Sequence, residues 1–257
     1  RLAVVLAALW GSAASAHAAE PGAVLVREGV PAAVILLPAD PEPDEVLASR
    51  ELQDHIERMS GAVLDIAGPH PPPGMAVIRI GHAPVGSAAP DGPGDDSAAF
   101  TIGVSSGEVR LTGRSAEGAL FATYALLEQL GVRWYMPGDL GTVVPRRATV
   151  VLPAGHSGQR PSFAHRHLQA VSRDLPWYRR QRLGGLYFPG SHGIGLLPPA
   201  DLEREPELFS LVDGQRVDRQ LCVSNPEVVR RATAYALDYF ATNPEAPWLG
   251  QGPSDGG

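Results

Sequence analysis

The residues best suited to chemistry fall late in the chain. Arg166 and His167 close the run FAHRHL, Trp177 opens a basic stretch, His192 sits between Ser191 and Gly193, and Asp255 lies in PSDG. General acid–base chemistry takes one group as acid and one as base or nucleophile, and carboxylates can serve as either. Asp255 is the only carboxylate that sequence reading places just beyond the end of a candidate strand, at 248–250. The other reading of an aspartate before Gly-Gly is a turn residue. Arg166 can fork onto a ligand hydroxyl or carboxylate, or close a structural salt bridge. His167 stands beside it. His192 lies in a glycine-flanked loop that can line the same mouth, although most loop histidines are inert. Trp177 and Trp248 can stack on sugar faces or simply pack. The predicted substrate-binding set is Arg166, His167, His192 and Trp177, with Asp255 as the catalytic candidate. No Walker run, G-x-S-x-G, H-E-x-x-H or zinc-spaced cysteine set occurs, so no metal or cofactor is expected.

These residues need elements to hold them. From residue 162 the order strand, loop, strand, helix, strand is how a parallel β/α barrel opens. FAHRHL is the first strand, Trp177–Arg182 a basic helical turn, and 207–212, 220–223 and 248–250 are further strands. Asn225-Pro226-Glu227 starts a helix, with a cap, a proline in first position and an acid in the first turn. Parallel strands would bring Arg166, His192 and Asp255 to one mouth.

Ahead of this lies an α/β pattern, organised around SAEGALFATYALLEQLGVRWYMPG. Ser115 caps a helix, Glu117 sits in its first turn, and Leu120, Tyr124, Leu127 and Leu130 share one face. Gly131 ends the helix. Val132, Trp134 and Tyr135 read as a buried strand. Short strands are predicted at 24–26, 33–37, 77–80, 143–144 and 149–152, with a hairpin at 100–104 and 109–112. A second helix over 44–59 buries Leu52, Ile56 and Met59 and leaves His55 on the surface. Gly113-Arg114-Ser115 reads as a helix cap before an anion site, and the aspartates of 88–97 as a solvated loop before a calcium site. The expected architecture is a mixed sheet with its helices on one face over 19–153, a Gly/Pro/Ser linker over 154–161, and the incomplete start of a barrel over 162–257.

The net charge is −7 and the pI near 5.6, without the basic footprint that nucleic acid requires. Arg1 to Ala18 reads as a signal peptide: a basic residue, an apolar run over 2–10, and Ala16-His17-Ala18 as the cleavage site. No later run is long enough to span a membrane, so a secreted or periplasmic protein is expected. The first residue is not Met and the last lies in a Gly/Pro-rich stretch, which reads as a fragment of a longer protein. Cys222 is the only cysteine, read as a buried free thiol.

The runs SRELQDHIERMSGAVLDI, VIRIG and LFATYALLEQLGVRWYMPGDLGTVVP resemble the N-terminal domain of β-hexosaminidases (domain 2) and α-glucuronidases. With PELFSLVDGQR, QLCVSNPEV and PSDG, the whole chain more closely resembles the bacterial family DUF4838. The resemblance implies a small non-catalytic α/β domain ahead of a TIM-type barrel, in a secreted glycoside-hydrolase-like protein acting on a polysaccharide or glycoconjugate. A non-catalytic carbohydrate-binding protein on the same scaffold is the alternative. The mature chain is expected to start near Ala19. N-terminal sequencing of exported protein tests this, and a retained 2–10 segment would refute it.

Overall fold

A computed structural model describes residues 22–68, 70–71, 73–83, 97–168, 175–187, 199–250 and 252. The signal segment 1–18, most of loop 88–97, His192 and Asp255 lie outside these residues. The chain divides into two compact units between Gly185 and Leu186.

The first unit begins with strands β1 (Ala23–Arg27), β2 (Val30–Pro31) and β3 (Ala33–Leu36), then helix α1 (Pro43–Ser60). Strands β4 (Ile66–Ala67), β5 (Ala76–His82), β6 (Phe100–Ser105) and β7 (Glu108–Gly113) precede helix α2 (Ala116–Gln129). After it come β8 (Arg133–Trp134), β9 (Thr142–Val143), β10 (Val150–Leu152), β11 (Gly155–Gln159), β12 (His165–Arg166), helix α3 (Leu175–Arg180) and β13 (Gly184–Gly185).

The main sheet has the order β11-β6-β7-β5-β3-β4. Strand β3 is parallel to β4 and β5, and β5 to β7, while β6 is antiparallel to β7 and to β11. The mixed-sheet α/β expectation is therefore met. Register follows the two-residue side-chain period. Ile35, Ile78 and Val109 are aligned across three strands, as are Ile80 and Leu111, and all five are buried. Arg79 and Arg110 are aligned on the opposite face, where Glu108 accepts from both, at 3.0 and 3.1 Å.

Helix α2 packs on β5, β6 and β7 and against α1, which also reaches β5. Ser115 caps α2, its Oγ accepting from the Gly118 N–H at 3.3 Å. The stripe predicted for α2 widens into burial of every residue from Gly118 to Leu127. A helix between a sheet and a second helix has two faces to cover, and Ala119, Ala122 and Ala125 are buried along with the predicted stripe. A Cβ at Gly118 would lie 2.6 Å from the Ala99 carbonyl oxygen, so the helix start approaches that close only as glycine.

Four expectations are corrected. His55 is fully buried rather than on the surface, because α1 is covered by more than the sheet. Tyr135 is 72% exposed: the chain turns after Trp134, and only Val132 and Trp134 face the core. Residues 155–159, expected as linker, form β11 and extend the main sheet along β6. Trp248–Gly250, expected as a strand, is irregular. Strand β10 pairs with β1 in a small sheet of order β10-β1-β2, so residues 150–159 tie the two sheets together. The first unit consequently runs on through 154–185.

In the second unit, β14 (Phe209–Val212) and β15 (Gln215–Leu221) form an antiparallel ribbon ahead of α4 (Pro226–Thr242). The helix start is as read: the Asn225 side chain accepts from the Glu227 N–H at 2.9 Å. Leu208, Phe209, Leu221 and Val228 form a small core. Described strand pairs beyond Pro161 are antiparallel, β12 with β13 and β14 with β15, so the parallel pairing expected of a barrel is not among them. Cys222 is a free thiol, half-buried rather than buried.

Leu127 is fully buried, so Leu127→Ala should cost about 2–5 kcal/mol. Thermal melts against exposed Glu57→Ala as control will show it. Equal shifts would mean that α2 does not hold the core.

Candidate functional site

Arg166 and His167 are carried by the ribbon of β12 and β13. Its backbone is tight: Gly185 has φ +82, and a Cβ there would meet the Ala164 carbonyl oxygen at 2.1 Å. Tyr178, on α3, meets the ribbon. His167 Nδ1 contacts the Tyr178 hydroxyl, and its Nε2 lies 3.3 Å from the Gly185 carbonyl oxygen. The consistent assignment has the phenol donating to Nδ1 and the Nε2–H donating to Gly185. Desolvation by burial pushes the Tyr178 phenol up, so it stays a neutral donor. Arg166 donates from Nε to the Arg182 carbonyl at 3.2 Å and from Nη1 to the Phe163 carbonyl at 2.8 Å. The rings of His165 and His167 lie 5.1 Å apart.

Trp177 faces the other way. Its Nε1–H donates to the Trp134 carbonyl at 3.0 Å, an oxygen that also accepts from Gln181 Nε2 at 2.6 Å. Beside it Arg180 holds Glu51 of α1 through two bonds, Nε at 3.0 Å and Nη2 at 2.9 Å. Its guanidinium carbon lies 5.8 Å from the Trp134 ring centroid, within cation–π range. His55 meets the edge of the same indole, and Tyr124 packs on it with ring centroids 5.7 Å apart. Burial pushes the Tyr124 phenol up strongly. Arg182 pairs with Glu128 at 2.8 Å, completing the seat of α3 on the two long helices.

The structure thus brings Arg166 and His167 together with Tyr178 and sets Trp177 against Trp134; His192 and Asp255 lie outside the described residues. Sequence reading did not find the Glu51–His55–Trp134–Arg180 cluster. The available signals were Glu51 and His55 four residues apart on α1 and the basic run after Trp177. Among the described residues no group of three or more His, Cys, Asp or Glu is placed to hold a metal ion, and no helix is long and apolar enough to cross a membrane.

The fold is an α/β unit with a mixed sheet and helices on one face, followed by a smaller ribbon-and-helix unit. Residues 136–256 match the family described as Domain of unknown function (DUF4838), so the resemblance read from the sequence holds over that region. The match begins inside the first unit, just after Trp134. No curated protein matches the chain. Among solved structures, it is similar to a family GH115 4-O-methyl-α-glucuronidase with specificity for decorated arabinogalactans, at 21% identity and TM-score 0.45 over 56% of this chain and 19% of that one. It is also similar to the GH20 β-N-acetylhexosaminidase of Streptomyces coelicolor A3(2), at 19% identity and TM-score 0.39 over 84% of this chain and 42% of that one. The N-acetyl-β-hexosaminidase of Streptomyces plicatus is similar at 17% identity and TM-score 0.39, again over 84% and 42%. The chain spans less than half the length of each of these.

Tyr178→Phe removes the hydroxyl that meets half-buried His167, at a cost of about 0.5–1.5 kcal/mol. A melt against Tyr135→Phe, at an exposed tyrosine, measures it. Equal melting temperatures would mean that this hydrogen bond does not hold the ribbon to α3.

Proposed function

We propose that the chain is part of a secreted, carbohydrate-active protein on a glycoside-hydrolase-like scaffold, acting on a polysaccharide or glycoconjugate. The α/β unit is its non-catalytic support, and sugar contacts come from residues beyond Pro161. The observation that carries this reading is the family match over 136–256. It covers the PELFSLVDGQR, QLCVSNPEV and PSDG runs, three of those that carry the resemblance, together with the four predicted contact residues and Asp255. In the hydrolytic form of the proposal Asp255 is a catalytic carboxylate.

A second reading, carbohydrate binding without turnover, draws on one feature. Both ring nitrogens of His167 are engaged within the protein, and two nitrogens of Arg166 donate to main-chain carbonyls. Side chains held this way shape a surface better than they transfer protons.

The test uses the whole protein against a panel of aryl-glycosides, with affinity electrophoresis in polysaccharide gels alongside. Turnover that Asp255→Asn lowers by about a hundredfold or more, with the melting temperature unchanged, supports the hydrolase. Retardation in a gel without turnover supports the binding protein. Neither turnover nor retardation refutes both. Residues 19–257 alone should show no turnover.

A further inference from the structure

We propose that Glu51, His55, Trp134 and Arg180 form an acid-sensitive latch, which seats α3 on α1 and α2 at neutral pH and releases it as the pH falls. The inference does not depend on the activity of the whole protein.

The geometry assigns the proton on His55. An indole N–H can only donate, and Trp134 Nε1 lies 3.3 Å from His55 Nε2. Nε2 must therefore be the acceptor. The ring proton is on Nδ1, which donates to the Glu51 carbonyl at 2.8 Å. His55 is thus a neutral imidazole with both nitrogens used and no exposed surface. Protonation adds a hydrogen at Nε2, so two donors would face each other across 3.3 Å. The indole has to move or lose its partner.

Trp134 is where α3 attaches. Its carbonyl accepts from Trp177 and Gln181, and its ring faces the Arg180 guanidinium. Displacing this residue disturbs three contacts of α3 at once. The Arg180–Glu51 pair then has to hold α3 without them, beside a new positive charge.

The charged and titratable groups around His55 come from three helices. On α1, the Glu51 and Asp54 carboxylates lie 3.8 and 3.7 Å from Nδ1 and favour the cation; Arg58, 3.7 Å from Asp54, offsets the latter. On α3, Arg180 opposes the cation. On α2, Tyr124 packs on the indole as a neutral phenol. Burial is the largest influence and holds His55 below its ordinary value of 6.5. A seated His55 therefore binds a proton less readily than one released to water. The stability this lends the seated state is fully present above the ordinary value and is lost as the pH falls toward the lowered one.

Hydrogen exchange of the whole chain, followed by mass spectrometry and corrected for intrinsic rates, tests the latch between about pH 8 and pH 5. Within 175–182 the hydrogen-bonded amides, those of 179–182, should be protected at the upper end. At the lower end they should exchange faster, by on the order of tenfold. Strands β5 and β7 should keep their protection. His55→Gln, which presents an amide oxygen to Trp134 and does not titrate, should abolish the response. If that variant does not fold, Trp134→Phe, which removes the opposing donor, should also abolish it. Arg180→Ala should leave 175–182 unprotected throughout. Protection of 175–182 that is flat with pH in the wild type overturns the proposal. So does an unchanged response in His55→Gln or, where that variant does not fold, in Trp134→Phe, and so does loss of protection in β5 and β7 at the same pH as in 175–182.

Discussion

The first unit depends on the burial of α2 between a sheet and another helix. Few sequences can fill that position. It needs apolar side chains nearly all round, small residues where α1 and the 97–99 segment come close, and a cap that satisfies the free N–H groups at its start. ALFATYALL meets the first two demands and Ser115 the third. The rest follows from the position of α2. Strands β5, β6 and β7 present Ile78, Ile80, Ile102, Val109 and Leu111 to it, and α1 closes the far side with Leu52, Ile56 and Met59. A helix confined on two sides can neither rotate nor slide without exposing leucines or driving a Cβ into the backbone.

The polar part of this packing is confined to one place. Where α2 ends and the chain enters β8, Trp134 becomes the centre of a cluster that is mostly buried. The side chains of Glu51 and Arg180 are only 14% and 19% exposed. Charges this far from water are stable only when fully paired, and two hydrogen bonds and an aromatic face provide for Arg180. That arrangement makes α3 part of the α/β unit. It also explains why the unit ends at Gly185 and not at the proline-rich stretch after Leu152, which instead adds a strand to the sheet.

The second unit is organised more lightly. Its core is four residues at the open end of the β14–β15 ribbon and in the first turn of α4, and Arg231 joins Glu205 and Glu227 at 2.6 and 2.8 Å in partly solvated pairs. Such pairs contribute little alone. The Arg230 and Arg231 guanidiniums hold the Glu227 carboxyl down to about 2, so it stays ionised across the physiological range. On α4 only Val228 is buried, while Val229, Leu237 and Phe240 remain exposed.

The sequence by itself determined what local chemistry controls. Caps at Ser115 and Asn225, the stop at Gly131, the hairpin over 100–112 and the apolar period of the strands were legible, because each depends on neighbours a few residues away. The mixed α/β class followed from their order, and the family resemblance from runs spread between Ser49 and Gly256. Tertiary structure decided which polar residues are buried. Nothing local distinguishes His55 from a solvated histidine: a residue 79 positions away bonds its ring, and one 129 positions from Glu51 neutralises that carboxylate. Residues 155–159 carry glycine and polar side chains that read as linker, and they are a strand because β6 offers an unpaired edge whose backbone groups need partners. Arg166, His167 and Trp177 were legible as residue types able to touch a ligand. Which atoms they touch was settled by the packing of the ribbon and α3 against the core.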